Sequence, residues 1–431
     1  MAKLLDGADR TVADRAARNS DLRFETVDGK TRIVVTPLDR LEDTESLRAL
    51  RPAVQGRMPK AGMPDLFLEI MQRTGFAKAF AHLSERQARV EHFETSLCAA
   101  LVAEAYNIGL EAVSRQDVPA LRRERLTWVS QNFIRPETIA TASARIVSAH
   151  AALPLVKIWG AGDVASADGM RFTAPSRAIH AGPNPKYFGQ SRGVTWYNLL
   201  SDQFSGLNGI VVPGTLRDSL VLLALLLEPE TELEPVEFMT DTAAYSDAVF
   251  DLFWLLGYQF SPRLADLGDA KLWRIDRKAD YGPFNSLGKG TINLSLIREN
   301  WPDVIRLAGS LKLGHPKAAG IMRTLQVRDK PTTLARALSE IGRIAKTIHI
   351  LHYIDDAAHP DPAQPHGTAS PPWSAYPSWR TRRNQELAST GAGRATWLPR
   401  PRPQCGRALE RHLHAGGYSP GQVGRRGCQQ R

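Results

Sequence analysis

Apolar residues of this chain recur at intervals of three and four from Asp65 to about Leu153. Examples are Phe67, Ile70 and Met71, and then Leu97, Leu101, Val102 and Ala105; the spacing predicts helices with one buried face. Further helices are expected over Val118–Val129 and Thr138–Ala152, the second with Pro136 near its start, where a missing N–H removes no helical bond. From Leu155 the pattern shortens into β-type runs separated by Gly, Pro and Asn: Val164–Asp168 into Met170–Thr173, Gly193–Leu200, and Ile210–Val212. An apolar helix over Leu216–Leu227 follows, closed by Glu228-Pro229. Next come a strand over Val236–Met239, a helix over Tyr245–Tyr258 and a strand over Lys271–Ile275. Helical periodicity returns from Gly290 to about Ile354, including Thr332–Ile350.

Three strands in a meander, then helix, strand, helix, strand, predict an α/β fold of ribonuclease-H-like type: a mixed sheet with a helical N-terminal block and C-terminal helices. Four segments are expected. Residues 1–60 are a polar lead with one β-rich run, Thr31–Val35, and residues 61–154 are the helical block. Residues 155–356 form the sheet domain and residues 357–431 a disordered tail. The tail lacks Ile, Phe, Met and Lys but holds ten of the 28 prolines, and no period survives in it.

Charge changes the picture only once it is located. The net charge is +10, but residues 357–431 carry eleven Arg against three acids. The preceding residues are therefore nearly neutral, and the basic total says little about their partners. No apolar run approaches the length of a membrane span, Leu220–Leu227 being the longest. The start, Met1-Ala2-Lys3-Leu4, lacks the apolar core of a signal peptide, so a cytoplasmic location is expected. Cys98, Cys405 and Cys428 are odd in number and widely spaced, which argues against a disulfide framework or a zinc site.

The candidate chemistry lies in two acids beside strands. Asp168 sits in Ser166-Ala167-Asp168-Gly169-Met170-Arg171-Phe172, read as a strand running into a turn, and Asp241 in Phe238-Met239-Thr240-Asp241-Thr242. Each has a plain alternative, since Asp-Gly is a common turn and Thr-Asp-Thr suits a helix cap. Together they are what a hard divalent cation requires. Lys186, Tyr187 and Arg192 lie in a Gly/Pro/Asn-rich loop and fit contact with phosphates and a base, or simply an exposed hairpin. His349 and His352 are three apart on an apolar helix, where core histidines are commoner than metal ligands. Gly160-Ala161-Gly162 lacks the third glycine of a nucleotide fingerprint.

Six short stretches, in order, resemble the C-terminal half of the transposases of the Tn-three family, the class II replicative transposons. They are Ser166–Phe172; Asn184–Phe188 with Gly193-Val194; Pro213–Arg217; Met239–Thr242; Ser261–Leu267; and Gly342-Arg343 with Lys346-Thr347. The resemblance runs from about residue 60 to 356. It implies a catalytic domain of the Asp-Asp-Glu type, with Asp168 and Asp241 as the first two acids. It further implies two Mg²⁺ ions roughly 3.5–4 Å apart, and DNA, both transposon ends and target, as substrate. A second copy of the chain or an intact transposase is the implied protein partner.

Two departures matter. Ala243 stands where the family carries a histidine, and no Leu-Asn-Arg signature leading to the third acid follows Tyr353–Asp356. Glu340 is not its substitute and is read as part of a solvated helix face. Read one base downstream, codons for Ala357–Gly367 are compatible with Arg-Arg-Ile-Leu-Thr-Gln-Leu-Asn-Arg-Thr-Glu. Codons for Pro399–Ala415 are compatible with an apolar stretch that the family has near its end. Residues after about Asp356 thus read as an out-of-frame translation. Two functional readings stay open: a DNA strand transferase, or a non-enzymatic remnant that at most binds DNA or interferes with an intact transposase.

Overall fold

The computed structural model describes residues 1–16, 18–19, 22–27, 30–35, 43–84, 91–174, 181–213, 218–227, 231, 233–240, 245–264, 267–268, 270–314 and 331–358. Asp241, Ala243 and the tail beyond residue 358 lie outside the described residues. The described residues fall into two compact units, one drawn from Met1–Leu41 and Ala151–Ser389, the other from Glu42–His150.

The first unit opens with helix α1 (Ala2–Ala16) and an antiparallel hairpin, β1 (Leu22–Val27) with β2 (Lys30–Val35). The polar lead predicted from the sequence thus contains a helix that its charged composition concealed. Leu5, Asp9, Val12 and Ala16 of α1 are buried at three- and four-residue spacing, the three apolar ones in one cluster with Ile344, Ile350, Leu351 and Ile354 from the end of the chain's described part.

The second unit is helical: α2 (Glu45–Arg57), α3 (Met63–Thr74), α4 (Phe93–Ala105), α5 (Arg123–Phe133) and α6 (Pro136–Ala151). Helix α4 is its axis, buried continuously from Thr95 to Ala100, with Leu97, Cys98 and Val102 meeting Met71, Leu126, Val129 and Phe133. A helix apolar on all sides is a core helix, as its composition requires. Pro136 takes the first position of α6.

The first unit resumes with the main sheet: β3 (Val164–Ala174), the short β4 (Gly182–Pro183), β5 (Arg192–Ser201) and β6 (Gly206–Pro213), then helix α7 (Asp218–Leu227), β7 (Glu237–Thr240), α8 (Asp247–Leu256) and β8 (Gln259–Pro262). Strand β3 is central, with antiparallel β5 on one side and parallel β7 on the other. Beyond β5 lie β6 and β4, and beyond β7 lies parallel β8. This is a mixed α/β sheet of ribonuclease-H-like type. One face carries Ala165, Ala167, Tyr197, Leu199 and Val212 and packs on Leu222, Leu225, Val249 and Phe253 of the helices. Phe238 of β7 is wholly buried with its ring against Phe253 and Tyr258.

Two strand expectations change. The run Lys271–Ile275 does form a strand, β9 (Leu272–Arg274), but it pairs with β10 (Gly288–Thr291) in a separate two-stranded sheet. The last strand of the main sheet is β8, whose four residues alternate between exposed and buried but end in proline and are too few to stand out in the sequence. Helices α9 (Leu294–Lys312) and α10 (Thr333–Ala358) complete the fold. Among the described residues no helix is long and apolar enough to cross a membrane.

Candidate active site on the central strand

Asp168 does not stand at a turn. Strand β3 runs unbroken through Asp168-Gly169, which pair with Asn198 and Tyr197 of β5. The glycine serves packing, because a Cβ there would press on the Tyr197 ring at 3.0 Å and on the Thr195 methyl at 3.1 Å. Since side chains alternate along a strand, Asp168 lies on the face opposite Ala167, away from the helix-packed core. It is half-buried, and its Oδ1 accepts a 2.7 Å hydrogen bond from the Gly169 N–H.

Strand β7 runs parallel to β3 with Ala165 opposite Phe238, Ser166 opposite Met239, and Ala167 opposite Thr240. Thr240 is its last residue. The described structure therefore ends on β7 level with the residue that precedes Asp168, and in the sequence the next residue is Asp241. Among the described residues no group of three His, Cys, Asp or Glu side chains is placed to hold a metal.

The loop candidates are engaged with one another. Pro185–Phe188 forms a single helical turn that presents Tyr187, and the Arg171 guanidinium lies 3.9 Å from its ring centroid. The Lys186 ammonium is 5.0 Å from the same ring. Arg192, exposed at the start of β5, donates from Nε to the Ala181 carbonyl at 3.1 Å. Tyr187 is thus a cation-bearing platform beside the far end of β3, and Arg192 marks the far end of β5.

The stretch Gly160-Ala161-Gly162 is a backbone device. Both carboxylate oxygens of buried Asp202 accept from the Gly162 N–H, at 3.0 and 3.3 Å. Gly162 has φ +90°, and a Cβ on Gly160 would collide with the Asp202 side chain. Burial raises the Asp202 pKa, against the Gly162 hydrogen bond that lowers it. His349 is a core histidine: Nε2 lies 3.2 Å from the Pro262 carbonyl, and burial pushes its pKa down to about 4. His352 is exposed, and among the described residues neither histidine belongs to a group of three metal-ligating side chains.

Glu340 corrects the expectation of a solvated position. It is buried, accepts from the Asn293 N–H at 3.0 Å ahead of α9, and pairs with Arg343. Around it the stretch Gly342-Arg343 with Lys346-Thr347 ties α10 to α8, to Tyr245 just ahead of α8, and to β9. Lys346 Nζ is 3.1 Å and Arg343 Nε 3.7 Å from Asp247 of α8. Lys346 also lies 3.9 Å from the Tyr245 ring, and Arg343 lies 4.2 Å from the Trp273 ring of β9. Thr347 Oγ1 accepts from the Trp273 N–H and donates to the Arg343 carbonyl. Residue spacing alone did not show what these side chains hold, because Tyr245, Asp247, Trp273 and Asn293 are all distant in sequence.

A central strand bearing an aspartate, followed by a parallel strand that ends beside it, agrees with the comparison to known proteins. The family model described as Tn3 transposase DDE domain matches residues 65–362. This chain belongs to that family. It is 48% identical over 356 residues to the transposase for transposon gamma-delta of Escherichia coli (strain K12), covering 83% of this chain and 36% of that protein. Similarity to the transposase for transposon Tn4556 of Streptomyces fradiae is 40% over 358 residues, covering 83% of this chain and 40% of the relative. The transposase for transposon Tn1546 of Enterococcus faecium is 37% identical over 321 residues, or 74% and 32% of the two chains. This Tn3-family chain thus spans less than half the length of these relatives.

Proposed function

We propose that this chain carries the strand-cleaving and strand-transferring domain of a DNA transposase, in a form whose catalytic set is incomplete. The observation that carries the reading is the register of β7 on β3. Ala167 and Thr240 are paired, and the next residue in each sequence is an aspartate, Asp168 and Asp241. Family membership supplies the reaction class: water attacks a phosphodiester to free a 3′ hydroxyl, which then attacks a phosphate of the target strand.

The donor set suits Mg²⁺. It consists of carboxylate oxygens only, and Mg²⁺ is commonly held by one or two carboxylates, with waters and substrate phosphates completing its shell. Asp168 and Asp241 are the residues that would hold it. When bound, Mg²⁺ supplies charge stabilisation at the reacting phosphate and favours attack by an oxygen nucleophile. The chain's own contribution is placement. Asp168 stands on a strand paired on both sides, and the Gly169 N–H fixes one of its oxygens at 2.7 Å. A ligand held in this way loses little freedom when it binds its cation.

The third acid is the missing part. Glu340 is committed to Arg343 and to the Asn293 N–H, and the match to the family ends at residue 362, close to where the sequence turns rich in Arg and Pro. The first supports the reading that Glu340 is not the third acid, and the second is in keeping with the reading of the tail as out of frame. Loss of one member of a catalytic constellation usually costs several powers of ten in rate.

The test compares the chain as it stands with one whose frame is restored after about codon 356, using Asp168→Ala as the blank. Mg²⁺ affinity and nicking of plasmid DNA should both rise on repair and vanish in the blank. Equal nicking before and after repair, abolished by Asp168→Ala, would make the chain an enzyme as it stands. Nucleotide sequence around codons 350–370 decides the frame directly.

A further inference from the structure

The sheet face that carries Asp168 is apolar and open beside it. On β5, the residue opposite Met170 is Trp196, and the residue opposite Trp196 on β6 is Val211. Directly paired residues share a face, so Met170, Trp196 and Val211 lie on the Asp168 side. Phe172 lies there too, two residues further along β3. Trp196 is 40% exposed, Phe172 42% and Val211 46%. Large apolar groups side by side on one sheet face mark a contact surface.

The tryptophan is also seated. Asp168, Asn198 and Gly209 form one row across β3, β5 and β6. A Cβ on Gly209 would meet the Trp196 indole at 2.8 Å from Cη2 and 3.0 Å from Cε2. The ring therefore leans along β5 into the row of Asp168 and fills the place of the absent Cβ. Gly209 lies two strand spacings from β3, about 10 Å, which is comparable to the distance from a phosphate to the far edge of its own base. Further along the same face of β5, at even positions, come Val194 and then exposed Arg192.

We propose that Trp196, seated on Gly209, is a stacking platform for an unpaired base of the DNA strand whose phosphate is held at Asp168. The inference rests on the Asp168 reading above and adds a subsite to it. Along β5 the order is acid row, indole, Val194, cation. A single strand laid over it has one phosphate at Asp168, a base on the indole and a later phosphate at Arg192. An aromatic face is sequence-tolerant, because every base offers a π-face. Duplex DNA does not fit this use, since its bases are covered by their neighbours.

The test uses the full chain with Mg²⁺ and a short single-stranded DNA carrying the fluorescent base 2-aminopurine. Stacking on Trp196 should quench that fluorescence. Trp196→Ala should abolish the quench and weaken binding about 5- to 150-fold, the range for loss of one base–aromatic stack. Trp196→Phe should retain part of both effects. Gly209→Ala keeps the indole but forces it off its seat, and should behave like Trp196→Ala even if that variant folds poorly. Trp301→Phe, at an exposed site on α9, should change nothing, and Asp168→Asn should remove the Mg²⁺ dependence while leaving the quench. If the Trp196→Ala and Gly209→Ala variants bind and quench as the parent does, the platform is overturned while the Asp168 reading stands. If no variant binds DNA, and Asp168→Asn leaves Mg²⁺ affinity unchanged, both fall together.

Discussion

Gly342→Ala sets two effects against each other whose signs differ. Gly342 lies inside α10, where alanine is favoured by about 0.8–1.0 kcal/mol on helix propensity alone. The structure reverses the sign. A Cβ at this position would collide with the backbone of Asp247, lying 2.7 Å from its carbonyl carbon and closer still to its oxygen. A backbone carbonyl cannot rotate aside as a side chain can. To reach ordinary contact, at 3.4 Å or more, α8 and α10 must separate by at least the difference. Overpacking of this kind typically costs about 1–3 kcal/mol, sometimes more. Separation also draws Asp247 away from Lys346 at 3.1 Å and Arg343 at 3.7 Å. The net expectation is a loss of about 1–2 kcal/mol, or roughly 2–8 °C in Tm for a unit of this size. Gly309→Ala is the matched control, since Gly309 is also in a helix of the same unit and nothing lies within 4 Å of its added Cβ. It should gain stability, by up to about 1 kcal/mol. Urea unfolding followed by tryptophan fluorescence reads both variants, with midpoint shifts compared at unchanged slope. If Gly342→Ala is as stable as Gly309→Ala, the close crossing of α8 and α10 is not as described.

Burial holds His349 neutral down to about pH 4, whereas an imidazole in the unfolded chain titrates near 6.5. Its contribution is complete above about pH 6.5 and is lost as pH falls towards 4, because the unfolded chain takes up the proton first. His349→Gln should remove about 3 kcal/mol of that acid-side slope. Burial raises Asp9 to about 7, which tilts stability the other way, so the difference between variant and parent is the quantity to measure. Lys346→Met removes the nearer partner of the half-buried Asp247 carboxylate and should cost about 1–2 kcal/mol; Lys346→Arg should recover most of it, and equal stability of all three would refute the Lys346–Asp247 pairing. The Cys98 thiol, buried and pushed up to about 12, should resist alkylation in the folded chain and react on unfolding; prompt reaction under native conditions would contradict the packing around α4.

The sequence by itself determined the periodic elements and their order. Apolar spacing placed α3, α4 and α6, and the strand-turn texture after Leu155 placed β3, β5, β6 and β7 within a few residues. These signals are local, since each records how one element alternates between core and solvent. Asp168 was legible for the same reason, as an acid in a run otherwise built for burial. What the sequence could not show was pairing between distant residues. Helix α1 was hidden because its few buried positions make sense only against α10. Strand β8 was hidden because an alternation of only four residues ending in proline is too short to establish a period, and only their register on β7 makes them a strand. Asp-Gly at 168–169 looked like a turn because local preference favours one, whereas the Tyr197 ring on the neighbouring strand requires the glycine inside a strand. Glu340 looked like a solvated acid because the Asn293 N–H and the Arg343 guanidinium that surround it come from another element and another turn of the helix. Likewise nothing near Trp196 in sequence signals that its ring leans on Gly209, in the same cross-strand row as Asp168. That arrangement comes from strand register, which tertiary packing alone decides.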